Sequence, residues 1–255
     1  MSPPRRPASG GGAGGPGGAS AGDAAASSST GARHPAADGQ LTAPVEDYLK
    51  AVYDAERGEG AATTNDLAQR LGVAPASVTG MVRRLAAQGL LEYEPYRGVR
   101  LTADGRRAAL RTLRRHRVIE SYLATVLGYP WDGVHEEAER LEHAASDELI
   151  DRMALALGEP TVDPHGAPIP TRDGAVDETP RRALAELPVG ARARVTRVHD
   201  EDPAMLRYLA ELGIRPGAAV HVLAHAPFDG PITLAVGESE CVVGRGLAGQ
   251  VLVEG

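Results

Sequence analysis

Hydrophobic positions divide the chain into a helical part and a strand-rich part. From Thr42 to Gly158, apolar residues recur every three or four positions, which is the period of a helix with one buried face. From Ala183 onward they alternate in short runs between Gly, Pro and Asp turns, which is typical of strands. Residues 1–40 have neither pattern and consist mainly of Gly, Ala, Ser and Pro. We therefore predict that 1–40 is a disordered tail without a functional site, and that His34 has no role.

The first helical segments predict a winged helix-turn-helix over residues 41–109. A helix that opens at Thr42 is followed by a short helix, Thr64–Leu71, and by a second one that begins at Pro75. Two strands, 90–94 and 99–101, then flank a turn that carries Arg97. The outward residues at the start of the Pro75 helix are small or basic, so this helix can lie close in a DNA major groove. These candidate DNA-binding residues, together with Arg97 at the wing tip, are Ala76, Ser77, Thr79, Gly80 and Arg83.

The distribution of charge favours the same function, although the net charge of −7 does not. The segment Val82–Arg117 contains ten arginines and three acidic residues. A basic segment in an acidic protein is the electrostatic pattern expected for contact with phosphates. Charge alone leaves open the alternative that these arginines cover a solvated helix surface.

A constellation of histidines and acids predicts a metal site. We predict one helix from Asp132 to Gly158, with a buried stripe formed by Val134, Ala138, Leu141, Ala145 and Leu149. Beside that stripe, offsets of four, seven and eight place four polar residues on one face: His135, Glu139, Glu142 and His143. Imidazoles and carboxylates can ligate a divalent metal, but such a face can also be an ordinary charged surface. The pair His116 and Glu120, one turn apart on the preceding helix, favours the metal site.

The remaining pattern completes a mainly α architecture of three domains. Residues 110–178 are predicted to form a helical dimerisation and metal-binding domain with its linker. Residues 179–255 contain five short strands and one helix, Pro203–Leu212, which predicts a small β-barrel. No apolar run approaches the ~18 residues of a membrane span, and no secretory signal is present. Together with a single cysteine, this predicts a cytoplasmic protein without membrane contact.

With these elements described, residues 41–255 resemble the diphtheria-toxin-repressor family of metal-dependent transcriptional regulators. The motifs that carry the resemblance are Val45–Leu49, Ser77–Thr79 with Met81-Val82, Tyr93–Thr102, His116-Arg117 with Glu120, His135–Ala138, Glu142-His143, Ser146–Glu148 and Gly166–Pro170. The resemblance implies a C-terminal domain of SH3-like type, related to a ferrous-transport accessory domain. It also implies a homodimer that binds a palindromic double-stranded operator and has no small-molecule substrate.

The resemblance further implies two metal sites. The primary site would consist of Asp47, Glu139, Glu142 and His143. The ancillary site would consist of His116, Glu120 and His135, completed from the third domain by Asp202 or, alternatively, Met205.

Two acids of the primary site indicate which metal activates the protein. Iron-responsive members of the family typically carry Met and Cys at the positions of Asp47 and Glu139, whereas manganese-responsive members carry acids. Carboxylates disfavour softer metals relative to Mn²⁺, so we expect a Mn²⁺-activated repressor of metal-uptake genes, with a Fe²⁺-activated repressor of iron-uptake genes as the alternative. Lys50 stands where some short manganese sensors have an acid, which argues against a binuclear site of that kind. Without metal, the acids of the primary site are expected to repel one another.

Two other functions fit the sequence less well. An enzyme is not expected, because the segment His135–Glu139 lacks the second histidine of the HExxH zinc-protease motif. A winged-helix protein whose metal residues form only a charged surface differs from a metal-activated repressor in that its DNA binding would not depend on metal.

Overall fold

A winged helix-turn-helix forms the first part of the fold. The computed structural model describes residues 41–57, 61–94, 97–199 and 202–255, so the predicted disordered tail lies outside the described residues. This part contains three helices and a two-stranded antiparallel hairpin, confirming the predicted winged helix: α1 (Ala43–Glu56), α2 (Thr64–Leu71), α3 (Pro75–Ala87), β1 (Leu91–Glu94) and β2 (Gly98–Leu101).

Local signals explain where these helices begin and end. Thr63 and Asp66 form a capping box at the start of α2, each side chain accepting a hydrogen bond from the other residue's backbone N–H at 3.1 Å. Gly72 ends α2 at φ +63°, a conformation that glycine adopts without strain. Pro75 occupies the first turn of α3, where its missing N–H costs nothing. The residues at the ends of α2 and at the start of α3 therefore predict the helix-turn-helix.

Helix α4 (Ala103–Thr125) connects the winged helix to the second domain. Its 23 residues extend for about 35 Å at 1.5 Å per residue. Gly105 in its first turn lies so close to the backbone that a Cβ atom there would overlap the carbonyl oxygen of Leu90. The predicted domain boundary after residue 109 falls inside α4, so the two helical domains share one continuous helix.

The predicted single helix Asp132–Gly158 is wrong, because the chain breaks into α5 (Val134–Leu141) and α6 (Asp147–Ala156). Ser146 starts α6 as its N-cap, with its hydroxyl accepting a hydrogen bond from the backbone N–H of Leu149 at 3.2 Å. The break redirects the chain, so Leu141 and Leu149 of the predicted buried stripe are 40% and 44% exposed. The other three stripe residues, Val134, Ala138 and Ala145, are buried.

The third domain is a six-stranded antiparallel sheet with two helices. Its strands pair in the order β3-β8-β4-β5-β6-β7, and the short first strand adds one to the five predicted from sequence. The elements are β3 (Arg182–Ala183), β4 (Arg192–Val198), α7 (Pro203–Glu211), β5 (Ala219–His225), β6 (Ile232–Val236), β7 (Ser239–Val243), α8 (Arg245–Ala248) and β8 (Val251–Glu254).

Trp131 docks the third domain onto the helical domain. Its indole packs into the apolar core of the third domain, and the Arg215 guanidinium lies 4.7 Å from the ring centroid. The backbone oxygen of His165 accepts a hydrogen bond from the N–H of Val198 on β4 at 2.9 Å. These contacts make residues 41–255 one compact unit. None of the helices in the described ranges is long and apolar enough to cross a membrane.

Gly166→Ala should loosen this docking. Gly166 has φ +85°, and an added Cβ would overlap the carbonyl oxygen of Thr196 on β4. Backbone strain and overlap together should cost about 3 kcal/mol of unfolding free energy. Trp131 is the chain's only tryptophan and is 9% exposed, so its fluorescence should shift to longer wavelength when the docking opens.

Gly158→Ala is the matched control for this prediction. Gly158 has a similar φ of +78° but no neighbouring atom within 4 Å of the added Cβ. It should therefore cost only the backbone strain of about 1–2 kcal/mol and leave the emission of Trp131 unchanged. Equal effects of the two substitutions would show that the close approach of Gly166 to β4 does not matter.

Candidate metal centre

Three helices bring the predicted metal ligands together. Asp47 lies on α1, and His116 and Glu120 are one turn apart on α4. His135 and Glu139 lie on α5, and Glu142 and His143 occupy the turn that follows it. The side chains of residues 116, 120 and 142 are almost completely buried, whereas the other four are partly exposed. The centre therefore lies where the winged helix meets the helical domain.

Asp47, Glu142 and His143 form the first group of potential ligands. His143 Nε2 lies 2.9 Å from Asp47 Oδ1 and 3.4 Å from Glu142 Oε1. One ligand atom from each of the three residues lies within 4.8 Å of the others. Glu139, the fourth predicted member of the primary site, instead groups with Glu142 and His116.

Lys50 pairs with two of the predicted primary ligands, Glu139 and Glu142. Its ammonium group lies 2.5 Å from Glu139 Oε1 and 2.8 Å from Glu142 Oε1. The acids of the primary site were expected to repel one another without metal, but Lys50 neutralises much of that charge. Burial alone would lower the pKa of Lys50, but the carboxylates of Glu142 and Glu139 outweigh it and raise the pKa above its usual range.

A buried ion pair holds His143 in place, and the sequence analysis did not identify it. His143 Nδ1 lies 2.7 Å from Glu46 Oε2, while Glu46 Oε1 accepts a hydrogen bond from Arg115 at 3.0 Å. Both Glu46 and Arg115 are buried, at 5% and 4% exposure. Through Nδ1, this network would orient the imidazole of His143 if its other nitrogen, Nε2, held a metal. Only the neighbouring positions of Asp47 and His116 hinted at these two residues.

His116, Glu120 and His135, the residues that the resemblance assigns to an ancillary site, form the second group. His116 Nε2 lies 3.1 Å from both Glu120 Oε1 and His135 Nδ1. His116 Nδ1 lies 2.6 Å from Glu142 Oε2. Glu142 therefore contacts both groups, one through each of its carboxylate oxygens.

Two further residues, which the sequence analysis missed, extend the second group. Asp163 and His165 lie in the loop after α6 and place ligand atoms within 4.8 Å of each other and of Glu120. All three side chains are buried, and His165 Nδ1 lies 3.8 Å from Glu120 Oε1. Their spacing, with only Pro164 between them and Gly166 directly after, was the available signal in the sequence.

Asp202, the predicted third-domain ligand, is not part of either group. Its carboxylate caps α7 and accepts hydrogen bonds from the backbone N–H groups of Ala204 and Met205, at 2.8 and 3.2 Å. The alternative ligand, Met205, packs against the apolar core of the third domain. Both side chains are thus engaged within their own domain.

When no metal is bound, a proton on His116 stabilises the second group. Burial alone would lower the pKa of His116, but the carboxylates of Glu120 and Glu142 outweigh it and raise the pKa to about 10. In the same pair, burial would raise the pKa of Glu120, but charged His116 keeps it well below its usual range. Because a metal needs the neutral imidazole, loading this group would release a proton.

The donor atoms of these groups fit a divalent cation. Every group consists of imidazole nitrogens and carboxylate oxygens, which suit Mn²⁺ and Fe²⁺. Glu120 Oε2 is buried and has no hydrogen-bond partner among the described residues. A buried oxygen without a partner is costly, and a cation would satisfy it.

The predicted DNA-contacting residues lie on an accessible surface. Four of the five positions at the start of α3 are exposed and Thr79 is intermediate. Thr79 Oγ1 donates a hydrogen bond to the backbone oxygen of Pro75 at 3.1 Å. The side chain of Arg97 is 81% exposed and pairs with Glu94 at 3.2 Å, while its predicted neighbours in the wing tip, Pro95 and Tyr96, lie outside the described residues.

A winged helix coupled to buried histidine and carboxylate groups defines a metal-responsive DNA-binding protein. Three family models match the chain: "Iron dependent repressor, N-terminal DNA binding domain" over residues 40–99, "Iron dependent repressor, metal binding and dimerisation domain" over 102–171, and "FeoA domain" over 182–255.

Individual relatives agree with these matches. The iron-dependent repressor IdeR of Mycobacterium tuberculosis is 32% identical over 228 residues, which cover 84% of this chain and 98% of the relative. The transcriptional regulator MntR of Escherichia coli is 40% identical over 111 residues, 44% of this chain and 71% of the relative. The solved structure of a manganese-dependent transcriptional repressor in complex with manganese is 42% identical in sequence and superposes with a TM-score of 0.78. The match covers 82% of this chain and 98% of the chain in that structure.

The chain therefore belongs to the iron-dependent (diphtheria toxin) repressor family and is a metal-dependent transcriptional repressor. Members of this family are repressors and not enzymes. Its third domain is the FeoA or SH3-like domain of that family.

Proposed function

We propose that this protein is a Mn²⁺-activated repressor of metal-uptake genes that acts in the cytoplasm as a homodimer on a palindromic operator. The observation that carries the choice of metal is the pair Asp47 and Glu139, two hard carboxylates at the edge of the primary centre. Mn²⁺ is the weakest binder of the divalent series, so a protein that senses it must reject softer ions by ligand type. Fe²⁺ is the alternative, because it follows Mn²⁺ closely in that series and accepts the same donors.

The proposed primary ligands are Asp47, Glu139, Glu142 and His143. A bound divalent ion would neutralise these carboxylates and hold them in a fixed arrangement. Asp47 belongs to α1, which packs on the helix-turn-helix, whereas the other three belong to α5 and its following turn. These residues therefore connect the DNA-binding unit to the helical domain. Fixing that connection would set the spacing of the two α3 helices of a dimer on DNA.

The proposed ancillary ligands are His116, Glu120 and His135, with Asp163 and His165 adjacent to Glu120. The third domain docks through the backbone of His165, so loading of this group would also reinforce the docking.

An exposed apolar surface on the helical domain supports the homodimer. Several large apolar side chains at the end of α4 and along α5 and α6 are 40–70% exposed. Large exposed apolar side chains become buried when a second copy of the chain covers them. The residues are Val126, Leu127, Tyr129, Leu141, Leu149 and Leu155.

The direct test is operator binding at controlled free metal. The manganese-loaded protein would first select its operator duplexes from a random-sequence library. Mixtures of the protein and a selected duplex would then be titrated with Mn²⁺, Fe²⁺ or Zn²⁺ under anaerobic, chelator-buffered conditions. Chelation should weaken specific binding by about tenfold or more, a typical coupling between two sites. Mn²⁺ should restore operator binding at free concentrations within the physiological range of this ion. Equal affinity with and without metal would leave only a winged-helix protein with a charged surface.

Arg97→Ala should weaken binding to every DNA sequence alike. The side chain of Arg97 is exposed at the wing tip, where contact with the phosphate backbone is expected. Loss of one phosphate contact should make the slope of log K against log salt shallower by about one unit. Arg152→Ala is the control, because the side chain of Arg152 is similarly exposed, at 76%, and pairs with Glu148 on α6. A loss confined to one base position would indicate a base contact instead.

A further inference from the structure

Lys50 occupies the proposed primary centre in the absence of metal. It lies on α1, one turn after Asp47, and its side chain is 14% exposed. Its ammonium group contacts one oxygen of Glu139 and one of Glu142, at 2.5 and 2.8 Å. The helix that provides Asp47 for the metal thus also provides a cation for two of the same ligands.

The two cations cannot share these carboxylates without a cost. A divalent ion held by Glu139 and Glu142 would lie within a few ångströms of the ammonium of Lys50, whose side chain is 14% exposed, and beside the buried side chain of Glu142. Like charges at that distance repel strongly when solvent screening is weak. The ammonium therefore has to leave the carboxylate oxygens before both glutamates can bind the metal.

The same ion pairs also connect two domains. Lys50 belongs to the DNA-binding unit, and Glu139 and Glu142 belong to α5 and its following turn. The connection runs between the same elements as the proposed metal bridge from Asp47 to His143. Without metal, Lys50 therefore holds α1 against α5.

We propose that Lys50 is a built-in competitor of the metal, which sets the metal concentration at which the repressor switches. The inference rests on the proposed function, because it requires that metal bind at this centre. It assigns Lys50 two opposite effects: it stabilises the contact between α1 and α5 without metal, and it weakens metal binding. A purely structural lysine would produce the first effect alone.

The test compares Lys50→Leu with the wild type by direct metal binding and by unfolding in chelator. Leucine removes the charge and brings no donor atom of its own to the metal. Removing one positive charge this close should lower the Mn²⁺ concentration at half-saturation by about tenfold, measured from the electron paramagnetic resonance signal of free Mn²⁺. The unfolding temperature in EDTA should fall, because Glu139 and Glu142 lose their counter-ion.

Two further variants serve as controls, Lys50→Arg and Lys50→Gln. Arginine keeps the charge, so its Mn²⁺ midpoint should stay close to that of the wild type. Glutamine is neutral and polar, and it should move the midpoint in the same direction as leucine if Lys50→Leu folds poorly. Unchanged or weaker Mn²⁺ binding in both neutral variants would overturn the role of Lys50 while leaving the proposed function intact. A wild type that binds no divalent ion would overturn the proposed function itself.

Discussion

Glu142→Gln should greatly weaken the response of operator binding to metal. Glu142 is completely buried, with one carboxylate oxygen 2.8 Å from Lys50 and the other 2.6 Å from His116. It is a member of two groups of potential ligands, so its charge acts on both centres. Glutamine keeps the shape but removes the negative charge on which both centres depend.

The size of the effect follows from burial. Removing one partner of a buried ion pair costs about 3–5 kcal/mol, which corresponds to a change of roughly hundredfold or more in an equilibrium constant. We therefore expect the Mn²⁺ midpoint for operator binding to rise by about that factor, measured by fluorescence anisotropy of a labelled duplex. The unfolding free energy in chelator should also fall, because Lys50 and His116 lose a counter-charge.

Glu136→Gln is the matched control, because Glu136 lies on α5 but its side chain is 68% exposed and only approaches Arg140, at 3.9 Å. It should leave both the Mn²⁺ midpoint and stability almost unchanged. A folded Glu142→Gln protein that kept the wild-type midpoint would contradict the assignment of Glu142 to the metal centre.

Asp47→Met combined with Glu139→Cys should change which metal activates the protein. The side chains of Asp47 and Glu139 are 37% and 38% exposed, so both can be replaced without opening a core. A thioether and a thiolate would replace two hard oxygens, and the centre would lose one negative charge. Mn²⁺ depends most on hard, anionic ligands and should therefore lose most affinity.

The expected result is a reversal of preference. The double variant should need at least about tenfold more Mn²⁺ for operator binding, yet respond to Fe²⁺ or Co²⁺ at similar or lower concentrations than the wild type. Anaerobic operator titrations at buffered free metal would measure both midpoints. Glu136→Cys controls for the added thiol on the same helix. If the Mn²⁺ midpoint did not move relative to that of Fe²⁺, residues 47 and 139 would not determine selectivity.

Several helical boundaries were predictable from local signals in the sequence. The capping residue Thr63, Gly72 and Pro75 act within one turn of the chain, so α2 and the start of α3 lie where the sequence predicts them. The break between α5 and α6 was missed although Ser146 carries a capping signal. The apolar spacing continues across the turn, and periodicity alone cannot distinguish a continuous helix from two helices joined by a short turn.

The candidate metal residues were recognisable by type, but their partners were not. Residues 135, 139, 142 and 143 follow helical spacing in the sequence, but only the first two lie on α5, and the other two occupy the turn after it. Glu46, Lys50, Asp163 and His165 have no such relation to them, because they come from other segments and meet the centre only after folding. Asp202 shows the opposite situation, since one oxygen of the carboxylate that the resemblance assigned to metal caps α7 in this structure.

The sequence by itself determined the winged helix, the helical domain that follows, the strand-rich third domain and the residue types that can bind metal. These follow from periodicity, terminal signals and composition, all of which act over short stretches of chain. Tertiary structure decided which carboxylate faces which cation. Lys50 meets Glu139 and Glu142 across 89 and 92 residues of chain, and Arg115 meets Glu46 across 69. Such pairings depend on how α1, α4 and α5 pack, because a charge inside a protein interacts with what surrounds it in space and not with its neighbours in sequence.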